Sequence, residues 1–260
     1  MSEKTLRIEN MECGYGEITV LKDLSLSVEK GEFVGILGPN GSGKTTLLRA
    51  ITRVIPLKKG MIEFENRPIS QLAAKEIARK IAVVSQARED TFHQMTVEDM
   101  VMLGRIPHFG QFQWVVSKRD LDQTEVAMGI TDVLDLRHRP VGSLSGGERQ
   151  RTFIARALAQ DPEMLLMDEP TMHLDIGHGV EIFKIIARLI KEKGITVICV
   201  LHDLNLASVY CKRLLMIHNQ KIAYDGKPEE VIKREYIKEI YSADIKIYRG
   251  ELSQKPQILF

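Results

Sequence analysis

The sequence predicts an α/β fold in which buried strands alternate with helices, and three observations indicate it. Residues 33–37, 164–167 and 195–201 are short apolar runs, as buried parallel strands usually are. Residues 44–54 carry apolar side chains at helical spacing. The glycine-rich residues 38–43 separate this helical stretch from the first apolar run. An order of strand, glycine loop and helix is typical of an α/β core.

The remaining elements are predicted in chain order from the same patterns. Before residue 30, apolar residues recur near period two and are interrupted by Gly14 and Gly16, which predicts antiparallel strands and a hairpin. From about Ser70 to Leu158 the apolar residues have mostly helical spacing, which predicts a helical insert. The last predicted elements are a helix at about 180–190, strands at 214–217 and 221–224, and a charged helix from Pro228 to Tyr241.

Composition and charge exclude several classes of protein. Lys and Arg number 36 and Asp and Glu 35 in 260 residues, so the net charge of +1 creates no overall field that would recruit nucleic acid. With 44% hydrophobic and 27% charged residues, the chain differs from disordered, collagen-like and coiled-coil proteins. The three widely spaced cysteines, Cys13, Cys199 and Cys211, indicate neither a disulfide framework nor a zinc site.

The sequence also lacks the patterns of export and membrane insertion. Its first ten residues have neither the basic nor the apolar region of a signal peptide. No later segment has 18 charge-poor apolar residues in a row, the length that a membrane-spanning helix needs. We therefore expect the chain to remain in the cytoplasm and not to span a membrane.

The glycine loop carries the first motif with a chemical meaning, G-x-x-x-x-G-K-[ST] in the required strand, loop and helix context. Without side chains on its glycines, the backbone can wrap an anion and direct its N–H groups at phosphate oxygens. Lys44 supplies a cation for the β and γ phosphates, and the Thr45 hydroxyl is a ligand for Mg²⁺. The residues of the motif are Gly38, Pro39, Asn40, Gly41, Ser42, Gly43, Lys44 and Thr45.

A second motif ends the apolar run at residues 164–167 with two carboxylates, Asp168 and Glu169. A buried parallel strand that ends in Asp is expected to bring this carboxylate to the edge of the sheet where the glycine loop lies, where it can hold Mg²⁺. Because successive side chains of a strand point to opposite faces, Glu169 can address an attacking water instead.

A third motif, Leu144 to Glu148, begins an apolar-periodic helix with a serine and two glycines. The free N–H groups at such a helix start can meet a phosphate, although the serine could also be only an N-cap. Together with the glycine loop, the chain has two helix starts that suit a phosphate. One subunit does not need two for a single γ-phosphate, so this favours a head-to-tail dimer that uses both.

Together these motifs resemble those of the ATP-binding cassette (ABC) ATPases over essentially the whole chain. Residues 38–45 match the Walker A motif, Met164–Glu169 match Walker B with its catalytic glutamate, and Leu144–Glu148 resemble the LSGGQ signature. Glu148 stands where glutamine is commoner. We expect this difference to be tolerated because Ser145 and the glycine backbone make the phosphate contacts, although a negative charge felt near ATP would slow dimer closure.

The resemblance implies a P-loop NTPase fold with a RecA-like core, an N-terminal antiparallel β subdomain and an inserted α-helical subdomain. It predicts one ABC ATPase domain over residues 1–260. Within this domain, the predicted parts are a nucleotide-binding core with the β subdomain at about 1–86 and 163–227, the helical subdomain with the signature motif at about 87–162, and a C-terminal appendage at about 228–260.

Further site residues are implied by the resemblance, position by position. Tyr15 lies where the family has an aromatic residue that stacks on adenine, and Thr46 belongs to the nucleotide-binding loop. Gln86 matches the Q-loop glutamine, which senses Mg²⁺ and water. Asp175 matches the D-loop aspartate that crosses the dimer interface, and His202 matches the switch histidine on the γ-phosphate.

The implied mechanism has two copies closing around two ATP–Mg²⁺, each held between one P-loop and the partner's Ser145, Gly146 and Gly147. Glu169 polarises an in-line water, and Lys44 and His202 stabilise charge on the transferred phosphoryl group. Hydrolysis reopens the pair. The predicted catalytic residues are Glu169, His202, Lys44 and Gln86, and the predicted Mg²⁺ ligands are Thr45, Gln86 and Asp168.

The same cassette serves several cellular tasks, so the insert must indicate which one applies here. Residues 96–108 and Met172–His178 resemble bacterial importer ATPases for iron–siderophore, haem and cobalamin. This resemblance implies a homodimer at the cytoplasmic face of the membrane, bound to permease subunits and served indirectly by a substrate-binding protein. The permease would contact an apolar loop with Ile106, Phe109, Phe112 and Trp114. An ATPase of Fe–S cluster assembly and an importer ATPase for molybdate or another small solute stay open as alternatives.

Overall fold

The computed structural model describes residues 4–85, 92–110, 115–251 and 253–259. The chain divides into two compact units. The first unit comprises Met1–Leu72 and Thr196–Phe260, and the second comprises Ala73–Ile195. Both units contain strands and helices, and the predicted α/β class with an antiparallel β part is confirmed.

The helices and strands follow one another as the apolar patterns predict. The first unit begins with β1 (Lys4–Tyr15), β2 (Ile18–Glu29), β3 (Phe33–Leu37), α1 (Lys44–Ile51), β4 (Leu57–Phe64) and β5 (Arg67–Pro68). The second unit has α2 (Ala74–Lys80), β6 (Ile81–Val84), α3 (Val97–Met102), α4 (Lys118–Ile130), α5 (Gly146–Ala159), β7 (Met164–Asp168) and α6 (Ile176–Lys193). The first unit then resumes with β8 (Thr196–Val200), α7 (Leu204–Tyr210), β9 (Arg213–His218), β10 (Lys221–Gly226), α8 (Pro228–Val231), α9 (Arg234–Tyr241), β11 (Lys246–Arg249) and β12 (Pro256–Leu259).

An antiparallel sheet forms the first part of the first unit, with strand order β2-β1-β4-β5. The predicted hairpin is the β1–β2 pair, whose register sets Leu6 opposite Val28 and Ile8 opposite Leu26. All four of these side chains are buried, whereas Arg7 between them is exposed. The period-two pattern of the sequence therefore separates a core face from a solvent face.

The same unit has a second, mainly parallel sheet that positions the glycine loop. Its strands lie in the order β10-β9-β3-β8, with β3 parallel to both β8 and β9 and with β10 antiparallel to β9. Every residue of β3 and β8 is buried, as expected for central parallel strands covered on both faces. Because β3 ends at Leu37, the loop that follows it lies at the carboxyl edge of this sheet, where α/β proteins bind ligands.

In the second unit, β6 and β7 pair in parallel and the helices α3, α4 and α5 pack against one another. Met100 of α3 and Ile154 of α5 are fully buried among these helices. Residues 103–108 form a 3₁₀ helix, so Ile106, predicted to lie in an apolar loop, belongs to a helical turn. No helix in the described ranges has the length and apolar character that crossing a bilayer requires.

A buried ion pair ties the 3₁₀ helix to α4. Arg105 Nε lies 3.0 Å from Asp120 Oδ1, and the two side chains are only 3% and 5% exposed. Arg105 Nη1 also donates to the carbonyl of Ala159, at the end of α5, at 2.6 Å. Burial opposes the ionised form of Asp120, but hydrogen bonds from Ser117 and Arg105 hold the pKa of this carboxyl below its ordinary value.

Breaking this pair should destabilise the protein strongly. In Arg105→Met the apolar stem remains while the charge and both hydrogen bonds are lost, so a buried carboxylate is left without its guanidinium. We expect the free energy of unfolding to fall by about 3 kcal/mol, measured by urea denaturation at neutral pH. The control is Arg119→Met, which changes an exposed arginine next to Asp120 and should leave the free energy of unfolding unchanged.

The pair also has a pH dependence with a definite sign. Because the pKa of Asp120 is lowered in the folded state, its contribution to stability is complete above the ordinary Asp range and is lost as the pH falls through the folded-state value. The Arg105→Met variant should therefore lose less stability than the unaltered protein on acidification. Equal losses in both proteins would contradict the assigned role of the pair.

The C-terminal region differs from the sequence prediction. The prediction of a single charged helix from Pro228 to Tyr241 was wrong. The structure has two separate helices, α8 and α9, because Ile232 leaves the helical conformation and Lys233 is extended. Val231 and Ile232, which lie at the break, are both buried. A hairpin, β11–β12, follows, and its Ile258 is held by two hydrogen bonds with the Asn205 side chain.

Candidate functional site

The glycine loop of the first unit has a backbone that only glycines allow. Gly38 and Gly43 have φ of 146° and 102°, in the region that disfavours other residues. A Cβ on Gly38 would overlap the carbonyl oxygen of Ile217, and one on Gly43 would lie 2.7 Å from the Leu21 side chain. Residues 38–45 therefore form a cradle whose outer side is closed by packed neighbours.

Lys44 and Ser42 show that this cradle suits an anion. The Lys44 side chain is buried, and its Nζ donates to the carbonyls of Gly38 at 2.8 Å and Pro39 at 3.0 Å. Ser42 Oγ is buried without a hydrogen-bond partner within the part of the chain that is described. α1 begins at Lys44 with Gly43 as an N-cap that offers no side-chain acceptor. An ammonium group, an unsatisfied hydroxyl and a helix start together fit phosphate oxygens.

Two other predicted site residues belong to this unit. His202 lies at the strand edge where the glycine loop lies, and Tyr15 lies beside α1. The parallel register pairs Ile36 with Val200, so Gly38 and His202 are each the second residue beyond that pair. Tyr15 is the last residue of β1, and Arg49 of α1 donates to its hydroxyl at 2.9 Å. The tyrosine is thus tied to the helix of the P-loop while its side chain stays partly open to solvent, with 43% of the residue exposed.

The signature segment of the second unit begins α5 with a complete capping box. Ser145 is the N-cap: its Oγ accepts from the Glu148 N–H at 3.3 Å, and its own N–H donates to Glu148 Oε2 at 2.8 Å. Ser145 and Gly146 are both exposed to solvent. The segment is therefore both an N-cap and a helix start that a phosphate can reach.

The capping box explains how the glutamate of the signature is accommodated. The hydrogen bond from the Ser145 backbone is the main cause that lowers the pKa of Glu148, and Arg139, whose Nη1 lies 3.7 Å from Oε1, lowers it further. The carboxylate is thus turned back onto its own helix start and partly neutralised. Sequence reasoning gave Arg139 no role, because this arginine lies outside the motif.

This arrangement predicts that Arg139 matters only while residue 148 is charged. Arg139→Gln should slow ATP turnover about three-fold, because a partly exposed ion pair contributes about 1 kcal/mol or less. Glu148→Gln keeps the acceptor for the Ser145 N–H, so this variant should hydrolyse ATP normally. In the double variant, the loss caused by Arg139→Gln should disappear. An equal loss with and without Glu148 would contradict the ion pair as its cause.

The second strand motif is placed at the end of β7. Met164–Met167 are buried, Asp168 is the last residue of the strand, and Glu169 follows with a left-handed backbone, φ 54°. Such a conformation is uncommon for a residue with a side chain and occurs often at functional sites. Both carboxylates are half-buried. Gln86, predicted for the Q-loop, lies outside the described residues.

The D-loop aspartate and the signature segment lie together in the second unit. Asp175 is the N-cap of α6 and accepts from the His178 N–H at 2.9 Å, while His178 Nδ1 lies 2.8 Å from Asp175 Oδ2. The His178 ring also packs directly against Gly147. Sequence reasoning included His178 only as part of a motif, although the spacing Asp-x-x-His at a helix start was a usable signal.

Comparison with known proteins now decides the family. Residues 21–172, more than half of the chain, match the ABC transporter family. This chain belongs to the ABC transporter ATPase family. Domains of this family bind ATP, and the P-loop, the signature segment and the two carboxylates of this ABC ATPase all lie within the matched residues.

Relatives match this ABC ATPase over nearly its whole length. It is 37% identical to the ferric enterobactin transport ATP-binding protein of Escherichia coli (strain K12), over 98% of this chain and 93% of that protein. It is 40% identical over 98% of its length to an uncharacterized ABC transporter ATP-binding protein of Bacillus subtilis (strain 168), but spans only 57% of that protein's length.

Solved structures have the same fold. An inward-facing structure of a putative metal-chelate type ABC transporter matches 99% of this ABC ATPase and 97% of the compared chain, with a TM-score of 0.85 and 25% identity. The dimeric structure of a bacterial ABC transporter cassette matches 86% of this chain and 98% of the compared chain, with a TM-score of 0.73 and 28% identity. The predicted P-loop NTPase fold is thereby confirmed.

Proposed function

We propose that this ABC ATPase hydrolyses ATP to energise a membrane importer for an iron chelate, haem or cobalamin, with ferric siderophores as the first candidates. The observation that carries this proposal is the near end-to-end match with the ferric enterobactin transport ATP-binding protein. The match with a metal-chelate type transporter supports the same class of cargo. The cargo itself would contact the permease and a substrate-binding protein and not this subunit.

The working unit in this proposal is a head-to-tail homodimer. Each subunit has two helix starts that suit a phosphate, one at α1 and one at α5. Two copies that face each other can hold each ATP between the P-loop of one subunit and the Ser145–Gly147 segment of the other. The dimeric structure of a related cassette supports this arrangement. Ile176, beside Asp175, is 87% exposed and is an apolar residue that a second copy would cover.

We assign the hydrolytic roles to residues of this chain by the motifs that they match. Glu169 accepts a proton from the attacking water and orients it in line with the γ-phosphate. Lys44 and His202 stabilise the charge that develops on the transferred phosphoryl oxygens. Mg²⁺, when bound with ATP, would neutralise phosphate charge and be held by Thr45, Gln86 and Asp168, whose oxygen atoms are the donors that this ion prefers.

The remaining parts of the proposal concern nucleotide contacts and subdomains. Tyr15 would stack on adenine, Thr46 would belong to the phosphate cradle, and Asp175 would cross the dimer interface. The predicted subdomain bounds, with the core at about 1–86 and 163–227, stay a prediction.

The docking of the subunit at the cytoplasmic face of the membrane is proposed to use the apolar residues near the 3₁₀ helix. Ile106 is 54% exposed and Phe109 is half-buried, so both have apolar surface that a permease could cover. Phe112 and Trp114, predicted for the same contact, lie outside the described residues.

The proposal is tested by reconstituting the subunit in liposomes with a permease that copurifies with it. A ferric siderophore with its substrate-binding protein should raise ATP hydrolysis and drive uptake into the vesicles, and the Lys44→Ala complex should do neither. Stimulation of ATP hydrolysis by molybdate with its own binding protein would show that the cargo is an oxyanion instead. Copurification with a soluble Fe–S scaffold and no response to any permease would overturn the import function.

A further inference from the structure

We propose that His178 is a positioning residue that holds the D-loop aspartate and the signature segment in one fixed arrangement. The inference rests on the proposed function, because it concerns the surface that the two subunits would share. It gives a role in hydrolysis to a residue that had none of its own, and His178 acts through Asp175 and Gly147 and not on ATP itself.

The first arm of this link is a pair of hydrogen bonds to Asp175. The backbone N–H of His178 donates to Oδ1 at 2.9 Å, and the ring nitrogen Nδ1 lies 2.8 Å from Oδ2. Both carboxylate oxygens are therefore engaged by one residue. The aspartate is ionised, since these two bonds lower its pKa, so Nδ1 carries the hydrogen and donates it. An exposed carboxylate at a helix start would otherwise rotate freely about its side-chain torsions.

The second arm is the contact of the imidazole ring with Gly147. A Cβ built on Gly147 would lie 2.7 Å from His178 Cγ and 3.0 Å from Nε2, and closer still to Cδ2. The ring thus occupies the space that any other residue at position 147 would need. Next to it, a Cβ on Gly146 would lie 3.3 Å from the Leu174 side chain. The two glycines of the signature therefore pack against Leu174 and His178, which lie on either side of Asp175 in the sequence.

One side chain thus joins two segments that are proposed to reach the partner subunit. If the signature helix start shifts, the ring must shift with it, and the carboxylate of Asp175 follows through Nδ1. A displacement of about 1 Å between groups that must act together can reduce a rate about 100-fold. The stability of the closed dimer and the catalytic rate would accordingly depend on His178. The binding of ATP to the P-loop of a single subunit would not depend on it.

Three variants separate the two arms. His178→Ala removes the ring contact with Gly147 and the Nδ1 bond to Asp175 but keeps the backbone N–H bond to Oδ1, and we expect kcat to fall about ten-fold. His178→Asn keeps an N–H near the position of Nδ1 but not the ring contact with Gly147, so it should recover only part of the loss. His178→Phe keeps a ring but has no donor and should stay as slow as the alanine variant. His138→Ala is the matched control, because His138 belongs to the same unit and its side chain is 80% exposed.

The measurements are kcat, the affinity for a fluorescent ATP analogue and ATP-dependent dimerisation in the Glu169→Gln background. The expected result is a lower kcat and weaker dimerisation with unchanged analogue affinity. Turnover of His178→Ala within two-fold of the unaltered protein would overturn the inference, as would rescue by phenylalanine and not by asparagine. Loss of analogue affinity in parallel with kcat would do the same. If the unaltered protein itself neither hydrolyses ATP nor dimerises, the proposed function fails instead.

Discussion

The Glu169→Gln variant should bind ATP as tightly as the unaltered protein, lose nearly all turnover and accumulate as an ATP-bound dimer. Glutamine keeps the size of the side chain but cannot accept a proton from water, so a general base worth at least about 100-fold in rate is removed. The phosphate-binding groups of the P-loop and the signature are untouched. Phosphate release measures the turnover, and size-exclusion chromatography with ATP measures the dimer.

A matched change tests whether any loss of turnover is specific to this carboxylate. Glu192→Gln alters an exposed glutamate near the end of α6 and should hydrolyse ATP at the normal rate. Full-rate hydrolysis by Glu169→Gln would remove Glu169 as the base. A monomeric Glu169→Gln protein at saturating ATP would contradict the head-to-tail dimer in which hydrolysis causes reopening.

For Lys44→Ala, the expected effect is on ATP binding itself. The variant loses a buried ammonium that faces the phosphate cradle, and charge-assisted hydrogen bonds of this kind contribute about 1.5–3 kcal/mol. The affinity should therefore fall about ten- to one-hundred-fold. The two bonds from Nζ to the carbonyls of Gly38 and Pro39 disappear as well, so the loop loses part of its internal support.

Titration with a fluorescent ATP analogue checks this result, and thermal unfolding without nucleotide shows whether the fold is intact. Lys59→Ala is the control, since this lysine belongs to the same unit and its side chain is 72% exposed. An unchanged affinity in Lys44→Ala would contradict the assignment of the P-loop. Together, Lys44→Ala and Glu169→Gln distinguish ATP binding from ATP hydrolysis, because only Lys44→Ala should lower the affinity measured by titration.

Sequence reasoning succeeded where neighbouring residues in the chain carry the physical signal. The P-loop and the strand before it are contiguous, and so are β7 and the carboxylate that ends it; glycine content, apolar runs and residue types identify them locally. The prediction of one helix at 228–241 was wrong because each half is helical but the backbone leaves the helix at Ile232 and Lys233, where no glycine or proline marks a break in the sequence.

Contacts between separate segments escaped prediction for a different reason. Nothing in the neighbourhood of Glu148 indicates that Arg139 lies beside its carboxylate, and nothing near Arg105 indicates that Asp120 is its partner. In each case the two residues belong to different turns or helices. Their approach depends on how α3, α4 and α5 pack, and helix packing depends on the shape of whole surfaces and not on a spacing.

The sequence by itself indicated the family and predicted the nucleotide chemistry and the residues that would carry it, because phosphate binding requires certain residue types at fixed spacing along the chain. Only the tertiary structure decided how the charge of Glu148 is balanced and that His178 joins Asp175 to Gly147. The first arrangement arises between α5 and the segment that precedes it, and the second arises where the start of α5 meets the start of α6. Side-chain contacts between such segments exist only once the chain has folded, so no local pattern encodes them.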